Sequence, residues 1–141
     1  MRRFARRLIA YETSLRSKPS EGAGQAAFPV IDELRPQLVN LMGIGGFRGL
    51  LSRAIVLGGE ELRWLRAVHV KSDGSLEGFQ EHAQLAPGQF AEGKVVLLTE
   101  LLGVLVVLIG VPLTLRLVFD IWPSFDRRSY LGNGEAHEKE T

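Results

Sequence analysis

The feature that most constrains this chain is the apolar run at residues 95–111, VVLLTELLGVLVVLIGV, in which Glu100 is the one charged residue. Its 17 residues are at the lower end of the length of about 17 to 25 residues that a helix needs to cross a bilayer. Fourteen valine, leucine and isoleucine residues lie between Val95 and Leu113. The free energy gained by transferring these side chains into lipid exceeds the cost of about 3 kcal/mol for transferring one carboxylate. The run is therefore either a membrane span or the central helix of a protein core.

Two observations favour the core helix. Arg116 and two further arginines make the C-terminal flank the more basic one, which would place the preceding 93 residues outside the cell. We expect no export signal, because the apolar stretch at residues 8–10 is too short for one. Beyond Pro112 the pattern becomes amphipathic, with Arg116 and Asp120 spaced as a helical ion pair. We therefore expect a long, very apolar helix over residues 94–121, with a single membrane span over 95–118 as the alternative.

The composition excludes several functions. The 141 residues, 45% apolar, suffice for one domain with its own core. The 17 basic and 16 acidic residues nearly cancel, so no overall field favours nucleic acid. The absence of cysteine excludes disulfides and thiolate sites. His69, His82 and His137 share no metal-ligand spacing, and we find no cofactor motif or catalytic arrangement. We expect no enzyme, cofactor or metal, and a cytoplasmic protein with membrane association as the alternative.

The ends of the chain differ from its centre. Residues 1–16 predict an amphipathic basic helix, and residues 17–27, rich in small and helix-breaking residues, predict a flexible loop. Residues 123–141 predict a polar tail. The arginines of the first helix are our candidates for contact with a membrane surface, and a solvated helix face is the alternative. They are Arg2, Arg3, Arg6 and Arg7.

The central segment, residues 28–122, predicts a helical domain. Pro29 suits a first helical turn, and Pro36 predicts a kink. The spacing of Phe47, Leu50, Leu51 and Ala54 predicts a further helix. Alternating valines and the turn sequence SDGS at residues 72–75 predict a short hairpin around 67–77. The fold class that follows is mainly α, a small bundle of about five or six helices with one short hairpin.

A glycine-rich turn at residues 42–47 precedes the helix that begins near Phe47. Backbone N–H groups at Gly45 and Gly46, with Arg48 beside them, are a candidate anion-binding site. The turn matches neither a dinucleotide fingerprint nor a Walker loop. A helix cap followed by a tight turn is the simpler interpretation.

The predicted function is protein–protein interaction, because a domain of this size has little interior in which to bury so much apolar surface. We expect a non-catalytic adaptor or assembly subunit that binds a protein partner or a second copy of itself. The alternatives are a small single-pass membrane protein and a helical module that binds an anionic ligand. The candidate contact residues are Phe47, Leu50, Leu51, Ala54, Leu101, Gly103, Leu105, Leu108 and Gly110.

Overall fold

The computed structural model describes residues 1–15 and 28–125. The predicted loop at 17–27 and the predicted tail from residue 126 onward, with His137, lie outside the described residues. The described residues form five α-helices and one two-stranded hairpin, which confirms the predicted fold class. In chain order the elements are α1 (Arg2–Leu15), α2 (Pro29–Glu61), a 3₁₀ helix (Arg63–Ala67), β1 (His69–Val70), β2 (Leu76–Glu77), α3 (Gln80–Leu85), α4 (Pro87–Ile109) and α5 (Val111–Ile121).

Helix α2 consists of two arms that meet at Gly43. It begins at Pro29, as predicted, and it continues through Pro36, which keeps helical backbone angles. The break lies at Gly43, whose φ of 79° and ψ of 165° belong to a region that only glycine adopts at low cost. The two arms, residues 29–42 and 44–61, thereby take different directions and bury different side chains.

The core lies mainly between α2 and α4, the two helices in most extensive contact. Gly58 of α2 lies against α4 so closely that a Cβ there would stand 3.3 Å from a methyl group of Val96. Each fully buried leucine contributes about 1.5–3 kcal/mol relative to an exposed one, so this interface supplies much of the stability. The fully buried leucines of α2 and α4 are Leu34, Leu38, Leu51, Leu97, Leu98, Leu101, Leu102 and Leu105.

The apolar run does not form one helix over residues 94–121. Helix α4 ends at Ile109 and α5 begins at Val111, because Gly110 has a φ of 90° and a ψ of 160°. Pro112 then occupies the first turn of α5, where its missing N–H leaves no helical hydrogen bond unmade. The expectation of a single long and very apolar C-terminal helix is therefore not confirmed. The predicted membrane span, 95–118, falls across two helices.

Helix α1 lies mainly against α4, and its side chains meet those of α5 near both ends, with α1 and α5 running in the same direction. At one end Met1 and Val111 line the same depression. At the other end the indole Nε1 of Trp122 donates a hydrogen bond of 2.7 Å to the Glu12 carboxylate, which is buried. Between these ends the Phe125 ring contacts Phe4 and another aromatic ring of α1. The first and last described helices are thus joined by side-chain contacts.

The hairpin covers the start of the second arm of α2. His69 pairs with Glu77, and Val70 with Leu76, in an antiparallel register. Gly74, in the turn, has a φ of 86°, and a Cβ there would stand 2.9 Å from the Phe47 ring. The turn is therefore packed directly on Phe47, near the start of the second arm of α2.

Helix α2 is the one helix among the described residues that is long and apolar enough to cross a membrane. The criterion concerns length and composition only, and a core helix of a soluble protein satisfies it as well. About 33% of its candidate window is buried inside the chain.

Candidate interaction surface

Four large apolar side chains remain exposed where α4 ends and α5 begins. Val107 is 83% exposed, Leu108 61%, Val111 51% and Leu113 45%. We call these four residues the apolar tip. They lie close together in the chain, within the last turn of α4 and the first turn of α5. The tip is the place where the apolar run leaves the core.

The tip follows from the break at Gly110. Up to Leu105, α4 is covered by α2, α1 and α5, and its leucines are buried. The break directs the chain away at Gly110, before another element covers the last turn of α4. Val107 and Leu108 are therefore apolar, like the rest of the run, but they are not buried.

A shallow groove between α2 and α4 adjoins the tip. We call it the α2–α4 groove, and Val107 lies in both surfaces. Gly103, on its α4 wall, has no atom within 4 Å of the position that a Cβ would occupy. The groove is lined by Arg53, Leu57, Glu100, Gly103, Val104 and Val107.

The two charged side chains of this groove have opposite signs. Arg53 is exposed and Glu100 is half-buried. No hydrogen bond or ion pair joins either side chain to another described residue. The positive charge of Arg2 is near Glu100, but its guanidinium is held by Glu61 through hydrogen bonds of 3.0 and 2.6 Å. The groove therefore presents a cation and an anion that are open to partners from outside the described chain.

The start of α1 borders the tip from the other side. Met1, which is 52% exposed, lines a depression with Val106 and Val111. Of the four arginines predicted to contact a membrane surface, Arg3 and Arg6 are exposed, whereas Arg7 is half-buried. Arg2 donates two hydrogen bonds to Glu61, and these bonds lower the pKa of the Glu61 carboxyl group. Only part of the predicted basic face is thus presented to solvent.

The structure separates the predicted contact residues into two groups. Leu108 is exposed in the tip, Gly103 lies in the groove, and Gly110 forms the turn between α4 and α5. The remaining six are in the core of the chain itself and are not available to a partner. Sequence periodicity identifies an apolar helix face, but it does not say whether that face meets its own chain or another one. These six are Phe47, Leu50, Leu51, Ala54, Leu101 and Leu105.

The predicted anion site lies just after the break in α2. Gly45 and Gly46 are exposed. The Nε of Arg48 donates a hydrogen bond of 3.1 Å to the backbone carbonyl of Lys71. This side chain therefore fastens the hairpin to α2.

An aromatic cluster that the sequence did not reveal joins the 3₁₀ helix, α3 and α4. The Trp64 and His82 rings stack with centroids 3.9 Å apart and planes 3° apart, and Phe79 stacks on Trp64 at 5.8 Å. The indole Nε1 of Trp64 is buried without a hydrogen-bond acceptor among the described residues. Trp64 lies far from Phe79 and His82 in the chain, so periodicity gives no signal for their contact. It holds α3 against α4 by packing.

Two polar side chains, those of Lys94 and His82, lie beside aromatic rings. Lys94 Nζ lies 5.1 Å from the centroid of the Phe90 ring, a cation–π contact. Partial burial lowers the pKa of this ammonium group. His82 shares a hydrogen bond of 3.1 Å with Gln89. Within residues 1–15 and 28–125, no group of three or more acidic or histidine side chains is arranged to hold a metal ion.

Comparisons of this chain with protein-family models, with curated proteins and with solved structures give no match.

Proposed function

We propose that this protein is a non-catalytic assembly subunit that binds another protein chain through the apolar tip and the adjoining α2–α4 groove. The observation that carries the proposal is the exposure of Val107 and Leu108, 83% and 61%, at the end of a helix whose preceding leucines are buried. Clustered exposed apolar side chains are typical of interaction sites in soluble proteins. The proposal places the contact at the turn between α4 and α5, not on the buried helix faces.

The chemistry of the surface supports this class of function. Its centre is aliphatic, and its edge carries the charges of Arg53 and Glu100. Protein–protein interfaces commonly have an apolar centre and a polar rim. Burial of each tip side chain in a contact contributes about 1.5–3 kcal/mol. Part of that gain offsets the lost freedom of the two chains.

The test compares two leucines with nearly equal exposure, one in the tip and one at the end of α1 that is far from the tip. Leu108→Lys alters the tip, where Leu108 is 61% exposed, and Leu15→Lys alters the far end of α1, where Leu15 is 59% exposed. The mass of each purified protein is measured by size-exclusion chromatography with light scattering. We expect the parent and Leu15→Lys to exceed the 15.6 kDa of one chain and Leu108→Lys to return to it.

Weak specific complexes form at protein concentrations of about 100 µM. If the parent chain has the mass of a single chain at that concentration and retains no second protein, the proposal is wrong. Circular dichroism of both variants shows whether the fold is kept. An unfolded Leu108→Lys is replaced by Leu108→Gln, which removes the apolar end of the side chain without adding charge.

A second candidate function is binding to the surface of an anionic membrane. The observation that favours it is the position of Met1 beside the tip, with Arg3 and Arg6 exposed on the same helix. Apolar side chains and nearby cations together bind anionic lipid. Flotation with vesicles of phosphatidylserine and phosphatidylcholine tests this function, and Arg3→Glu with Arg6→Glu should abolish flotation if it is correct.

A further inference from the structure

The walls of the α2–α4 groove carry complementary charges. Arg53 stands on the α2 wall and Glu100 on the α4 wall, with the apolar floor between them. A half-buried carboxylate without an ion-pair partner carries a desolvation cost that a cation from outside the chain would offset. Arg53 of a second copy of this chain would be such a cation.

The two walls run in opposite directions. Gly58 of α2 lies against Val96 of α4, whereas Arg53, earlier in α2, shares the groove with Val107, later in α4. The helices are therefore antiparallel. A two-fold axis along the groove would set α2 of one chain against α4 of another, again antiparallel, and Arg53 of each chain opposite Glu100 of the other.

We propose that the occupant of the α2–α4 groove is a second copy of this chain, related by such an axis. The inference rests on the proposed function and names its partner. The contact is isologous: both chains present the same surface, and two reciprocal Arg53–Glu100 pairs form across a shared apolar floor. Val107 lines the groove and is 83% exposed in the single chain. In the dimer it is buried between the two chains.

Small residues allow the two copies to approach. Gly103 on the α4 wall has open space above it, and so does Gly49, one turn before Arg53 on the same side of α2. The absence of side chains at these positions lets helices pack at short distance, as they do in close helix pairs. The product is a four-helix arrangement in which two helices come from each chain.

Charge reversal tests the reciprocal pairs. Each of the variants Arg53→Glu and Glu100→Arg places two like charges opposite each other in the dimer. We expect the dissociation constant of the dimer, measured by sedimentation equilibrium, to rise at least tenfold, or about 1.4 kcal/mol. The double variant, Arg53→Glu with Glu100→Arg, restores opposite charges and should return to within about threefold of the parent.

An equimolar mixture of the two single variants gives the sharpest test. In a mixed dimer the glutamate introduced by Arg53→Glu in one chain faces the arginine introduced by Glu100→Arg in the other. The unaltered Glu100 of the first chain and the unaltered Arg53 of the second also face each other, so both pairs are attractive. We expect the mixture to dimerise more tightly than either variant alone. An ion pair within one chain cannot produce this result, because each chain of the mixture carries two like charges.

Matched controls reverse charges outside the groove. Arg63→Glu alters an exposed arginine beyond the end of α2, and Glu92→Arg alters an exposed glutamate of α4 two turns before Glu100. Both should leave the dissociation constant within about twofold of the parent. Circular dichroism and thermal unfolding report whether every variant keeps the parent fold.

The outcomes separate this inference from the proposed function. A parent dimer that is unaffected by the two reversals, or a mixture no tighter than its components, overturns the reciprocal pairing while the assembly function stands. A parent chain that is monomeric when pure and retains a different protein likewise overturns the inference alone. A monomeric chain that binds no protein and floats with anionic vesicles overturns both.

Discussion

At the residue scale, the closest approach of a side chain to a glycine among the described residues is that of Trp64 to Gly93. The Trp64 ring lies on the backbone of α4, and a Cβ at Gly93 would stand 2.9 Å from its Cη2 atom and still closer to a neighbouring ring carbon. The ring cannot retreat easily, because it is stacked between His82 and Phe79. Gly93 therefore sets how closely the aromatic cluster approaches α4.

Gly93→Ala should destabilise the protein by at least about 2 kcal/mol, because overpacking a core displaces side chains that are already close-packed. Urea denaturation followed by circular dichroism measures the change in the free energy of unfolding. Gly88→Ala, in the same helix, is the control, since no atom lies within 4 Å of its added Cβ. Alanine there should leave stability unchanged or raise it by up to about 1 kcal/mol. Equal effects at the two positions would show that the ring does not restrict Gly93.

At the scale of elements, two glycines decide where the helices divide. Gly43 separates the arms of α2 and Gly110 separates α4 from α5, and both have a positive φ with an extended ψ. For a residue with a side chain, this backbone conformation costs about 1–3 kcal/mol of strain energy. The second division matters more for function, since it creates the apolar tip.

Gly110→Ala should lower the free energy of unfolding by about 1–3 kcal/mol, since the strain arises in the backbone and not from a lack of space. A Cβ there would meet only the Pro112 ring, at 3.8 Å. Gly45→Ala, just beyond the break in α2, has open space and no positive φ, so it should be neutral or stabilising. Thermal unfolding of both variants checks the difference. A neutral Gly110→Ala would mean that the turn between α4 and α5 relaxes without cost.

The sequence predicts the elements better than it predicts their breaks. The spacing of Phe47, Leu50 and Leu51 is enough to place a helix, because burial of an apolar face dominates local structure. The division at Gly110 has a local signal, a glycine followed two residues later by Pro112, which is a helix stop and a helix start in succession. The continuous apolar character of the run conceals that signal.

The candidate surface is only partly predictable. Leu108 and Gly103 are among the predicted contact residues, but Arg53 and Glu100 face each other across the groove only because α2 and α4 pack in an antiparallel pair. The aromatic cluster depends on the same long-range packing. Such contacts join residues far apart in the chain, and local periodicity carries no information about them.

At the scale of the whole molecule, the two ends of the described chain are joined. Glu12 in α1 accepts a hydrogen bond from Trp122 across a sequence separation of 110 residues. Hydrogen bonds to a charged group contribute about 1.5–3 kcal/mol, and this one is buried. Together with the contacts of Phe125, it joins α1 to the end of α5.

Trp122→Phe should lower the free energy of unfolding by about 2 kcal/mol or more, because the Glu12 carboxylate loses a donor that water cannot readily replace. Trp64→Phe is the matched control, since it removes an indole N–H that has no acceptor among the described residues. We expect the larger loss at Trp122, and hydrogen exchange should show greater opening of α1 in that variant. A larger loss at Trp64 would show that ring packing outweighs the hydrogen bond.

The contact of Trp64 with Gly93 also governs how this sequence can vary in evolution. A relative that keeps tryptophan at position 64 must keep glycine at position 93, because no side chain fits beneath the ring. A relative with a larger residue at 93 must carry a smaller one at 64. The two positions are expected to co-vary, so this pair distinguishes a chain that shares the fold from one that shares only its apolar composition.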